Sequence, residues 1–126
     1  MMELLKTQKR ILVLDNGGRM LPVIEEIMAY GDFDMHVMYD ADNIVDRAKE
    51  LRPDLIILDY LLVNNECELV CNDLKGDDSL AQVPVIIVAR YITKKIRSES
   101  YKCDALFLNA TEMDVLAPRI NYLIAS

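Results

Sequence analysis

Apolar residues in this chain fall into short runs with little polar interruption, and between these runs they recur every three or four positions. Arg10–Leu14, Met35–Met38, Asp54–Asp59, Pro84–Val88 and Ala105–Leu108 are the runs. Their length and lack of strict alternation predict five buried strands of a parallel sheet covered on both faces. The intervening stripes predict helices. Leu21, Ile24, Ile27 and Met28 share one face, as do Ile44, Val45, Ala48 and Leu51, then Cys67, Val70, Cys71 and Leu74, and last Leu116, Ile120, Leu123 and Ile124. A sparser stripe, Ile92 and Ile96, marks a further helix over Ile92–Ser100.

Punctuation supports this division. Asp15-Asn16-Gly17-Gly18 clusters turn formers after the first run, Gly31 and Gly76 stop two helices, and the Arg52-Pro53 step stops a third. Asp40 and Asp42 are candidate caps for the second helix. Pro22 and Pro118 suit opening helical turns, where no amide hydrogen is needed. Strands and helices alternating through short connections imply right-handed crossovers, hence a doubly wound, three-layer α/β domain.

Length and charge narrow the classes that remain. The 126 residues, 52% of them hydrophobic, make one compact domain over 1–126, with about the first nine residues as an extension before the first strand. The apolar runs are far shorter than the roughly 20 residues needed to cross a bilayer. Met1–Lys9 has no apolar stretch followed by a cleavage site, so a cytoplasmic location is expected. Three cysteines without disulfide-scaffold spacing agree with a reducing compartment. A net charge of −7 argues against nucleic-acid binding.

In doubly wound sheets, ligands bind beyond the carboxyl ends of the strands. Asp15-Asn16, Asp59, Ala89-Arg90 and Asn109 occupy those ends. Asp15 and Asp59 close the first and third runs, and paired carboxylates with nearby carbonyl oxygens suit Mg²⁺ rather than zinc. An aspartate beside such a metal can attack a phosphoryl group and form an aspartyl phosphate. The bland alternative is that strand-end aspartates cap turns. Gly17-Gly18 makes neither a dinucleotide nor a Walker-type phosphate loop. Neither aspartate is followed two residues later by the second aspartate that a haloacid-dehalogenase-like phosphatase would want.

The segments RILVLDNG, RPDLIILDYLL, VPVIIVAR and CDALFLNA, in this order and spacing, resemble the receiver domain of two-component response regulators. The resemblance covers nearly the whole chain. It implies a flavodoxin-like sheet of order 2-1-3-4-5 with five helices, and Asp59 as acceptor of phosphate from a histidine kinase or phosphotransfer protein. It implies Mg²⁺ as cofactor, held by Asp15, Asn16, Asp59 and the backbone carbonyl of Leu61. A stand-alone signalling module in a phosphorelay, not an independent enzyme, is the expected function.

Several positions depart from the family pattern. Asn16 replaces the second acid of the acidic pair, which implies weaker Mg²⁺ binding. Ala89 stands in place of a Thr or Ser hydroxyl, Asn109 in place of a lysine, and Ala110 in place of the proline after it. Leu106 stands where an aromatic ring is usual, and Val63 and Cys67 where the following loop has Pro and Gly. Arg90 replaces a small residue at the pocket mouth, where a guanidinium can pair with a phosphoryl group, plug the site or face solvent. Arg90, Asn109 and the Ala89 position are therefore the phosphate-facing candidates. These changes also fit a pseudo-receiver, a phosphorylation-independent interaction or dimerisation module. A small flavodoxin-like enzyme ranks third.

Arg90, Lys94, Lys95, Arg97 and Lys102 place five of the 14 basic residues within one segment, with Glu99 its only acid. This reads first as a solvated helix face. By the resemblance, Arg90–Lys102 and the last helix would form an output face for a second copy or a downstream protein. Cys67 and Cys71 read as core residues, and His36, the sole histidine, as structural or surface.

Overall fold

The computed structural model describes residues 8–15, 21–40, 42–59, 67–89 and 105–108, together with Pro118, Ile120 and Tyr122–Ile124 of a last helix. In chain order the elements are β1 (Lys9–Leu14), α1 (Leu21–Tyr30), β2 (Phe33–Met38), α2 (Ile44–Leu51), β3 (Leu55–Asp59), α3 (Cys67–Gly76), β4 (Val85–Ala89) and β5 (Ala105–Leu108). The strands form one parallel sheet ordered β2-β1-β3-β4-β5, the order the resemblance implied. The helix expected over Ile92–Ser100 lies outside the described residues.

Side chains of successive strand residues point to opposite faces, and this parity separates two cores. Leu12, Leu14, Ile56, Leu58, Val85 and Ile87 pack with Ile44 and Ala48 of α2 and Val70, Cys71 and Leu74 of α3. Ile11, Val13, Leu55, Ile57, Ile86 and Val88 pack on the other face with Val23, Ile24 and Ile27 of α1 and Ile120 of the last helix. Each fully buried aliphatic side chain contributes about 1.5–3 kcal/mol relative to exposure. Both faces being dry explains why the strand sequences show so little alternation. Cys71 is fully buried in this core, as its stripe predicted.

The edges depart most from the apolar pattern. β2 begins at Phe33, two residues before the apolar run, because Lys9 and Arg10 of β1 extend the pairing to Phe33 and Asp34. It pairs only with β1, so a polar residue there meets half-solvated surroundings, and a charge on such a strand also discourages edge-to-edge pairing. His36 lies on this strand with Nε2 3.1 Å from Asp34 Oδ2. At Gly31, whose N–H donates to the Ile27 carbonyl at 3.2 Å, an added Cβ would lie 2.8 Å from the Phe33 ring, which would have to shift to admit it.

The start of α2 corrects the cap expectation. Asp40 accepts the Asp42 N–H at 3.0 Å in an Asx turn, and Asn43 is the N-cap residue, with no side-chain capping bond. The turn chemistry of Asp40 competed with its use as a cap. α2 ends at the expected Arg52-Pro53 step, but Arg52 there takes a left-handed conformation, φ 55 and ψ 61, in place of the extended one usual before proline, and donates its N–H to the Ala48 carbonyl at 2.8 Å. Asp54 then ties β3 to β1, donating its N–H to the Arg10 carbonyl at 2.7 Å and accepting the Arg10 N–H at 2.8 Å. The Arg10 guanidinium also donates to the Leu51 carbonyl at 2.8 Å.

Beyond α3, Ser79 donates to Asp77 Oδ1 through both its N–H and its hydroxyl, at 2.9 and 2.6 Å. Lys49 Nζ lies 3.4 Å from Asp77 Oδ2. The Ser79 hydroxyl chiefly, then its N–H and the Lys49 charge, hold the Asp77 carboxyl below its ordinary value of 3.8, against an opposing desolvation second in size only to the hydroxyl's effect. A depressed folded-state pKa adds stability that is complete above the ordinary value and is lost as pH falls through the lower one. Parent chain is therefore expected to unfold at higher urea than Asp77→Asn at pH 7, and the gap should close progressively as pH falls below 3.8. A gap independent of pH would reject this assignment.

Candidate functional site

Parallel pairing of β1 with β3 runs from Ile11↔Leu55 to Leu14↔Leu58. The next residue on each strand is an aspartate. Asp15 and Asp59 therefore stand side by side at the carboxyl edge of the sheet, on backbones spaced by about 4.8 Å. The ladder to β2 continues through Asp15, whose N–H donates to the Met38 carbonyl at 2.8 Å, and Asp59 is itself paired with Val88 of β4. Parity places Asp15 in phase with Ile11 and Val13, and Asp59 in phase with Leu55 and Ile57, so both carboxylates lean to the α1 side. The sheet fixes both positions.

Burial sets this pair apart. Asp15 is 3% exposed and Asp59 5%, and they are the only buried polar or charged side chains among the described residues. Taking a carboxylate out of water costs several kcal/mol unless other groups compensate. Two such carboxylates at adjacent strand ends are a costly arrangement for a turn cap alone. A cation shared between them is a natural compensation.

The donor set fits Mg²⁺. Carboxylate oxygens are hard ligands, and Mg²⁺ is usually bound through one or two carboxylates while keeping several waters. Among the described residues no group of three or more His, Cys, Asp or Glu side chains is placed to hold a metal ion. Asn16 and Leu61, the other expected metal ligands, lie outside the described residues, as do Arg90 and Asn109. Ala89 ends β4, paired with Leu108 of β5, so the hydroxyl-free position sits one residue beyond the Asp59–Val88 pair. The basic segment Arg90–Lys102 lies outside the described residues too. Sequence reasoning missed the Met38 carbonyl that anchors the Asp15 backbone; a main-chain acceptor leaves no trace in residue type.

No protein-family model matches the chain. Over 81 residues it is 30% identical to the DNA-binding response regulator MtrA of Mycolicibacterium paratuberculosis, covering 64% of this chain and 35% of that protein. The chain thus spans about a third of the length of the curated relatives it matches. Its fold superposes with a TM-score of 0.81 on the receiver domain of the sensor histidine kinase PA1611 from Pseudomonas aeruginosa, which has a magnesium ion coordinated in its active-site cleft; identity is 16%, over 95% of this chain and all of that one. The phosphorylated cyanobacterial phytochrome response regulator RcpA gives a TM-score of 0.71 at 20% identity, over 93% of this chain and 91% of that one. No helix among the described residues is long and apolar enough to cross a membrane.

Proposed function

From the premise that this chain has the receiver fold of response regulators, we propose that it is a signalling module that accepts a phosphoryl group on Asp59 from a histidine kinase or phosphotransfer protein. The observation that carries the reading is the pair of buried carboxylates, Asp15 and Asp59, at adjacent strand ends. A carboxylate oxygen of Asp59 attacks the phosphorus of a phosphohistidine in line with the P–N bond. That bond breaks, its electron pair leaves with the imidazole nitrogen, and the product is an acyl phosphate on Asp59. Mg²⁺, held by Asp15 and Asp59, supplies charge compensation to the phosphoryl oxygens when bound. Asp15 gives that cation a second carboxylate, and β1 and β3 fix both groups before the donor arrives. Output is a change in protein contacts, with no turnover of a diffusible substrate.

A second reading has its own support. Ala89 brings no hydroxyl to the end of β4, and the chain has neither the second acid at Asn16 nor the lysine at Asn109. This favours a phosphorylation-independent interaction or dimerisation module on the same fold. Incubation of the protein with acetyl phosphate and Mg²⁺, followed by intact mass measurement, separates the two. A gain of one phosphoryl group in the parent and none in Asp59→Asn is the expected result. No gain in the parent with acetyl phosphate or with a kinase would favour the second reading.

A further inference from the structure

Away from the aspartate pair, two hollows meet at the opposite end of the sheet. One, of about 500 Å³, is lined by Ala48, Lys49, Arg52, Ser79, Leu80 and Val83, with Pro53 at its end. The other, of about 420 Å³, continues from Pro53 and Val83 past Asp54, Gln82 and Pro84 to Leu123 and Ile124. They form one trough along the amino-terminal edge of β3 and β4. The floor of the first hollow is mainly apolar, from Ala48, Pro53, Leu80 and Val83, while the second mixes Asp54 and Gln82 with its apolar residues. The trough's charge is uneven, because the first hollow holds two cations and no acidic lining residue, in a chain whose net charge is −7.

The walls of the first hollow are braced. Lys75 Nζ donates to the Val83 carbonyl at 2.8 Å, and Asp77, itself held by Ser79, ion-pairs with Lys49 at 3.4 Å, which leaves Arg52 as the hollow's unpaired cation among the described residues. The Arg52 backbone is set by its bond to Ala48 and by Pro53 after it, in a left-handed conformation that glycine adopts without strain. Its guanidinium has no ion-pair partner among the described residues. An exposed, unpaired fork above an apolar floor matches a carboxylate flanked by apolar side chains.

We infer that this trough is a docking surface for a partner protein segment in which an acidic residue adjoins apolar ones, the carboxylate pairing with Arg52 and Lys49 and the apolar residues lying over Pro53, Leu80 and Val83. The trough lies at the end of the sheet opposite the aspartate pair and shares no lining residue with it.

The test is a random peptide library displayed on phage and selected on the full chain, with counter-selection on Arg52→Gly. Glycine suits the left-handed backbone, so this variant should unfold thermally at or above the parent's midpoint; Lys49→Met is the second variant should it not. Enriched peptides are expected to place Asp or Glu beside apolar residues, and to perturb the amide resonances of Lys49, Arg52, Ser79 and Val83. Changing the acid to its amide should weaken binding about ten-fold, the loss of one charge-assisted pair. Asp59→Asn should bind the same peptides as tightly as the parent, which keeps this result separate from the labelling experiment. Failure of any peptide to enrich over the variant, resonance changes elsewhere, or equal binding of acid and amide peptides would overturn the inference.

Discussion

Ile57→Ala is expected to lower the unfolding free energy by about 2–5 kcal/mol, the usual range for truncating a fully buried isoleucine. Ile57 is 0% exposed at the centre of β3, flanked by Val13 on β1 and Ile86 on β4. Neighbours fixed in two strand ladders cannot collapse into the space left behind, which puts the site toward the upper part of that range. Domains of this size have total stabilities of about 5–15 kcal/mol, so such a loss would bring the protein close to unfolding at ambient temperature. Urea unfolding followed by circular dichroism measures it. Leu69→Ala, on the exposed side of α3, is the matched control and should change stability by no more than about 0.5 kcal/mol. Similar losses in both variants would refute the two-core description.

Asp15→Asn is expected to weaken Mg²⁺ binding by about ten- to a hundred-fold. A unit charge at about 4 Å contributes roughly 4 kcal/mol at an effective dielectric near 20, and the amide oxygen and water recover part of that. Without metal, the neutral isostere relieves the repulsion between two adjacent buried carboxylates, which offsets part of whatever Asp15 loses in its own contacts. Isothermal titration with Mg²⁺ gives the affinity, and unfolding in chelator gives the stability. Asn16→Asp adds charge at the neighbouring position and should act in the opposite direction, tightening binding by a similar factor. An unchanged Mg²⁺ affinity in Asp15→Asn would remove Asp15 from the ligand set.

Legibility of these features from the sequence follows how locally each is encoded. The central strands are read from composition because burial on both faces leaves room for little besides Val, Ile and Leu; Leu55–Leu58 and Val85–Val88 show it plainly. Only part of β2 is legible, since half-burial at the edge permits Asp34 and breaks the apolar run. The caps of α2 were misplaced because aspartate serves turns and helix ends alike, and only backbone geometry distinguishes the two uses. Asp15 and Asp59 are legible because each directly follows an apolar run. That the two are neighbours depends on the strand order, which periodicity alone does not specify. Lys49 and Arg52 share the end of α2, but Ser79 reaches them from beyond α3, and no local pattern signals a surface assembled that way.

The odd-even division of the strands between the two cores also constrains how the chain can change length. Inserting or deleting one residue within β1 or β3 would exchange the side chains presented to the two helical layers and rotate Asp15 or Asp59 out of step with its neighbour. Tolerated length changes are therefore confined to the connections, and the spacing from Ile11 to Asp15, like that from Leu55 to Asp59, behaves as a fixed phase. The apolar interior acts as a ruler for the acidic edge, so selection for packing alone keeps the two carboxylates aligned.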